Sequence, residues 1–140
     1  MDVRLRSFAE ALDSFIYLTG VDMASLATQL DNRLIDGLEN GKAQKFEYTL
    51  ELCWKAIKSA LKQQEGIDEA SPKKVVKAWY LGGHLSEDDY LALNQAIDDR
   101  NKLSHIDEPE EFTTIVARLP GYATLMQRVG KTLDITETVG

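Results

Sequence analysis

Lys42-Ala43-Gln44-Lys45-Phe46-Glu47-Tyr48-Thr49-Leu50-Glu51-Leu52-Cys53-Trp54-Lys55-Ala56-Ile57-Lys58-Ser59-Ala60-Leu61-Lys62-Gln63-Gln64 decides the fold class. Phe46, Leu50, Trp54 (with Cys53), Ile57 and Leu61 recur every three or four residues, which puts them on one face of a helix about six turns long. Lysines and acids fill the opposite face, and no proline or glycine interrupts the run. This is the strongest amphipathic signal in the chain and predicts the central helix of an all-α fold.

The flanking segments repeat the pattern. A first helix is expected from Asp2 or Ser7 to Thr19, burying Phe8, Leu12, Phe15 and Ile16; Ser7 and Glu10 have capping-box spacing, and Gly20 stops it. Leu26, Leu30, Leu34, Ile35 and Leu38 form a second stripe up to Asn40-Gly41, where the helix ends or continues kinked into the central one. After the polar loop Glu65 to Ala70, Ser71-Pro72 supplies an N-cap and a proline in the first turn. A short helix then runs to about Leu81, before Gly82-Gly83. Ser86 with Glu87, Asp88 and Asp89 opens the next helix, since acids complement the positive end of the helix dipole.

Asp107-Glu108-Pro109-Glu110 opens the last helix, with capping-box spacing between Asp107 and Glu110. Phe112, Ile115, Val116 and Leu119 lead to Pro120-Gly121, expected to kink or break it before Tyr122, Leu125, Met126, Val129 and Leu133 resume. Period-two alternation never persists, so strands are not expected. The expectation is a single-domain up-and-down bundle of about five helices over residues 1–140, with residues 132–140 a frayed tail.

Composition narrows the function classes. A chain of 140 residues carries enough surface to bury a core without staples. Its single cysteine, Cys53, cannot form an internal disulfide, and its place on an apolar stripe marks a buried, inert thiol. With two histidines beside it there is no ligand set for zinc. The start of the chain lacks the apolar run of a signal peptide and no stretch could span a bilayer, so a cytoplasmic protein without a membrane role is expected.

The net charge of −7 opposes indiscriminate nucleic-acid binding, but charge is unevenly spread. Residues 42–77 hold eight lysines against five acids, whereas residues 86–111 hold nine acids against Arg100 and Lys102. Either these are solvated helix faces, or one face suits phosphate and the other a protein partner.

Arg100-Asn101-Lys102-Leu103-Ser104-His105 carries the chemistry. A guanidinium stays charged and forks onto phosphate oxygens, while an imidazole moves a proton near neutral pH. Five residues rotate by about 140° on a helix, so Arg100 and His105 do not stack; Asn101 with His105 and Arg100 with Ser104 do. The spacing alone is weak, since an Arg-x4-His match arises by chance in about one chain in ten of this size. Structural alternatives stand beside it: an ion pair from Arg100 to Glu47 or Glu51, and a helix C-cap for His105. Glu47 and Glu51 share a face at i,i+4, and Glu51 with Lys55 has the spacing of an ordinary helix ion pair. Tyr48 and Trp54 suit a core or a dimer interface, and His84 is assigned to a loop without a role.

Taken in order, Phe46-Glu47-Tyr48 through Trp54-Lys55, then Ser71-Pro72, Gly82-Gly83 and Arg100-Asn101 through Ser104-His105, the chain resembles the HEPN family (higher eukaryotes and prokaryotes nucleotide-binding). Within it, the likeness is in particular to the bacterial branch of nucleotidyltransferase substrate-binding proteins. The likeness covers about residues 42–130 by ordered features. It implies an α-helical bundle that forms a homodimer with two Arg-x4-His motifs face to face. It further implies a toxin-like, metal-independent endoribonuclease acting on RNA such as tRNA or mRNA, needing no cofactor and paired with a minimal nucleotidyltransferase antitoxin.

In that picture Arg100 stabilises phosphorane charge, His105 is acid or base, and Asn101 holds the polar position after the arginine. Glu47, Glu51 and Ser104 support them, and Lys55 and Lys102 are candidate RNA-phosphate contacts. The branch silenced by nucleotidylation has a tyrosine two residues after the histidine; Asp107 stands there and cannot accept the modification. The competing reading is a non-catalytic module that binds substrate for, or forms a complex with, a separate nucleotidyltransferase.

Overall fold

A computed structural model describes residues 2–133. They form six helices and, among the described residues, no strand: α1 (Val3–Thr19), α2 (Met23–Leu26), α3 (Asn32–Glu65), α4 (Pro72–Leu81), α5 (Glu87–Leu103) and α6 (Pro109–Thr132). The expected all-α fold is present, with one helix more than anticipated. The frayed tail expected over 132–140 lies, from residue 134 on, outside the described residues.

The helix starts follow the side-chain acceptors the sequence offers. Asp2, Asp22, Asp31 and Ser86 each accept a first-turn backbone N–H, from Arg4, Ser25, Leu34 and Asp89. Each such cap is worth about 1 kcal/mol. Ser7 and Glu10 therefore lie inside α1 and not at its start. Asp107 does not cap α6: the N-cap is Glu108, without a side-chain bond, and Pro109 at the first position sets the helical turn with its fixed φ. Ser71 likewise precedes Pro72 without a cap bond.

At the far end of α3, Gly66 adopts φ 66°, and the N–H groups of Gly66 and Ile67 close on the carbonyls of Lys62 and Leu61. That left-handed turn is one glycine tolerates without strain.

At neither of the two expected interruptions does the helix break. Asn40-Gly41 sits inside α3, which at 34 residues is about 51 Å long. An interior glycine costs about 1 kcal/mol but keeps its N–H, and Asn40 Nδ2 donates to the Asp36 carbonyl, so the Asp31 cap upstream and the buried run that begins at Lys42 downstream carry the helix through. The break falls earlier: Leu26 and Leu30 lie before the Asp31 cap, while Leu34, Ile35 and Leu38 belong to α3. Pro120 also lies within a continuous α6. Its ring faces solvent, and buried Leu119, Tyr122 and Ala123 hold both sides of it against the core.

α3 is the hub, packing against α1, α4, α5 and α6. Phe46 sits between Phe15 of α1 (centroids 6.0 Å apart) and Tyr122 of α6 (5.2 Å, stacked). Phe46, Leu50, Cys53, Ile57 and Leu61 are all buried, and burial pushes the Cys53 thiol up to about 12. Trp54 departs from the expected stripe: it is half-buried and its indole N–H donates to Glu51. Tyr48 is 54% exposed and belongs to no core.

His84 does have a structural place. Its ring stacks on the buried Trp79 at 3.7 Å and lies 3.2 Å from Glu65, tying the α4–α5 turn to the end of α3.

Candidate functional site at the end of α5

α5 carries Leu93, Ala96 and Ile97 into the core, and one turn later the same face delivers Arg100 against α3. Arg100 Nη2 lies 2.7 Å from Glu51 Oε2. The pairing goes to Glu51, not to Glu47. Glu51 also accepts from the Trp54 indole at 3.0 Å and pairs with Lys55 Nζ at 3.3 Å, so one carboxylate gathers three donors. Burial alone would raise the Glu51 carboxyl, but the bonds from Trp54 and Lys55 and the charge of Arg100 outweigh it and hold it below its ordinary value. Arg100 Nε is buried and has no hydrogen-bond partner.

The sign of that shift fixes a pH dependence. A carboxyl depressed in the folded state stabilises it above the unfolded pKa, and the contribution is lost as pH falls through the folded value. Glu51→Gln is therefore expected to lower stability at neutral pH by less than about 1 kcal/mol, because the cluster is partly solvated. The difference from wild type should shrink as pH drops below the usual carboxylate range. Melts across an acid series check this; a constant difference would count against it.

His105 follows the last turn of α5, where its backbone N–H closes on the Lys102 carbonyl at 2.8 Å. Its ring is exposed, and with Asp98, Asn101, Lys102 and Glu111 it lines an open recess of about 500 Å³. The structure thus brings Asn101, Lys102 and His105 together. Arg100 does not line the recess, because the helical rotation between positions 100 and 105 turns it toward α3. Ser104 is the exposed C-cap residue of α5. Of the two lysines expected at phosphate, Lys55 is occupied by Glu51 and Lys102 borders the recess. Asp98 in the recess is itself held by Lys73 at 2.6 Å.

Beside this end lies a polar cluster that the sequence reading passed over. Asp99 is 2% exposed; both its oxygens accept from Arg118 Nη1, at 2.9 and 3.0 Å, and one accepts the Tyr122 hydroxyl. Burial and the Asp99 charge push the Tyr122 hydroxyl well above its usual range, so it stays a donor. The available signal was Arg118 and Tyr122 at i,i+4, flanked by the core residues Ile115 and Leu119.

Among the described residues no group of three or more His, Cys, Asp or Glu side chains is placed to hold a metal ion. No helix among them is long and apolar enough to cross a membrane.

Residues 4–135 match the sequence profile of a family described as nucleotidyltransferase substrate binding protein like. The chain belongs to this family. As a nucleotidyltransferase substrate-binding-protein-like chain it is similar in fold to a crystal structure of a protein from Thermus thermophilus. The TM-score is 0.78 at 28% identity, over 91% of this chain and 98% of that one. No curated protein matches it. For a member of the substrate-binding-protein-like family, the resemblance carried by Phe46 to Lys55 and Arg100 to His105 therefore extends over nearly the whole chain, including the first helices.

Proposed function

We propose that the chain is the substrate-binding companion of a separate nucleotidyltransferase, acts as a homodimer, and presents a phosphate-bearing substrate from the end of α5. The family match over residues 4–135 carries this reading. The open recess of Asn101, Lys102 and His105 supports it: an amide, an ammonium and an imidazole are exposed there as donors, on a helix anchored to α3 and α6. Co-expression with a minimal nucleotidyltransferase from the same genome should recover both chains in one complex, and this chain alone should sediment with a mass twice its own. A monomer that ignores that enzyme would overturn the reading.

A second reading, metal-independent RNA cleavage, is favoured by the presence of Arg100, Asn101 and His105 within two turns. His105 would take the ribose 2′-hydroxyl proton as that oxygen attacks the adjacent phosphorus, a guanidinium would stabilise the phosphorane, and the P–O5′ bond would break with the 5′-oxygen leaving as a hydroxyl protonated by water or an imidazolium. Arg100 does not line the recess of its own His105, so this reading requires two motifs facing across a two-fold axis, each recess meeting the guanidinium edge of the other copy while that Arg100 keeps its Glu51, with Asn101 holding the phosphate. Glu47 and Ser104 would act only as flanking groups.

This chemistry needs no metal, so cleavage is expected to survive EDTA and to leave 2′,3′-cyclic phosphate ends. Activity lost on chelation and restored by Mg2+ would rule it out. Covalent silencing at position 107 is not part of either reading, since an aspartate stands there.

A further inference from the structure

α4 carries Lys73, Lys74 and Lys77 and no acid, all three exposed, in a protein whose net charge is −7. It runs antiparallel to α5, with Lys73 paired to Asp98 at one end and Tyr80 stacked on Tyr90 at the other, centroids 4.4 Å apart and rings nearly parallel. That order puts Lys77 and Asn94 between the two contacts. Asn94 Oδ1 is buried without a hydrogen-bond partner.

Tyr90, Asn94, Asp98 and Asn101 are spaced by four, four and three residues, so they share one edge of α5 about 16 Å long, and His105 stands in the turn just past its end. Its lower end is the recess of Asp98, Asn101 and His105. The lysines and the aromatic pair are therefore continuous with the substrate-presenting end and not a separate patch.

We propose that this α4–α5 edge is the track of a single-stranded RNA, with phosphates on Lys73, Lys74 and Lys77, a base against the Tyr80–Tyr90 pair, and the strand leading into the Asn101–His105 recess. This rests on the reading of the α5 end as the substrate site. Lysines on one face together with half-buried aromatic rings are the two elements of sequence-tolerant strand binding. The Lys73–Asp98 pair is over half exposed on both sides, so it is screened by water and salt, and a phosphate can take the ammonium from the carboxylate. Lys55, expected at phosphate from the sequence, is not on this track, because Glu51 holds it.

The test is fluorescence anisotropy of a labelled oligouridylate against the full chain over a salt series. Wild type should bind with an affinity that falls as salt rises. The triple variant Lys73→Gln, Lys74→Gln, Lys77→Gln should reduce the logarithmic salt slope by about two, and Lys131→Gln, away from the edge, should not. Tyr90→Ala should weaken binding about 5- to 150-fold, with Tyr90→Phe close to wild type; this separates lost stacking from lost folding.

A folded triple variant with unchanged affinity and slope would overturn the proposal. So would wild type failing to bind the oligouridylate while still recovering the nucleotidyltransferase, which would leave the companion role standing. A triple variant that keeps the RNA but loses the enzyme would make the edge a protein dock instead.

Discussion

His105→Ala is expected to fold and assemble like wild type and to lose about 100- to 10,000-fold of any RNA cleavage, the usual worth of a general acid or base. The structure explains why function and stability should separate. The imidazole is exposed, and the turn at this position is closed by its backbone N–H on Lys102, a bond that alanine keeps. Exposed side chains contribute less than about 0.5 kcal/mol, so the melting temperature should hardly move. Arg100→Ala should match it in activity but not in stability, because it strips one donor from Glu51. Cleavage and melts on the same samples decide the matter: full cleavage by folded His105→Ala protein would remove His105 from the chemistry, and a folded wild type that cleaves no RNA would leave the non-catalytic companion as the better reading.

Arg118→Met should be the most destabilising change at the α5–α6 contact, by about 3 kcal/mol. It leaves the Asp99 carboxylate buried with the Tyr122 hydroxyl as its remaining partner, and breaking a buried pair from one side typically costs about 3 to 5 kcal/mol. The lower figure applies because Arg118 itself is partly solvated. Adding Asp99→Asn should restore a good part of the loss, since the orphaned charge is then gone. Urea melts of the single and double variants test this. A double variant no better than Arg118→Met alone would show that packing, and not charge burial, sets the cost.

What was legible in the sequence follows from how local each signal is. The stripe from Phe46 to Leu61 identified α3, and Ser86 with its acids fixed the start of α5, because periodicity and capping act within a few residues. At Asn40-Gly41 and Pro120 the local signal left a break or a kinked continuation open for the complementary reason, and both helices continue through them. Glycine and proline carry a local cost that caps and core packing further along the helix override, and nothing within a few residues reports that support.

The same limit applies to the site. Arg100 and Glu51 lie 49 positions apart, and the spacing arguments offered both Glu47 and Glu51 as partners; only the register of α5 against α3 chooses between them. Asp99 read as one more solvated acid in an acidic stretch, since its burial is created by Arg118 and Tyr122 arriving from α6. His84 gave no signal, as its stacking on Trp79 depends on the shape of the turn after α4.

The opposed anchoring of two neighbouring residues governs how a ligand would be captured. Asp99 is gripped by α6 and Arg100 by α3, so the final turn of α5 is fixed from two sides just before the chain leaves the helix. Asn101 is thereby pre-organised, while Ser104 and His105 stand beyond the last clamp, on a short span that reaches its next fully buried side chain only at Ile115. A ligand in the recess meets one rigid wall and one adjustable wall. Little ordering entropy is lost at the amide, and what adaptation an incoming phosphate requires is concentrated at the imidazole.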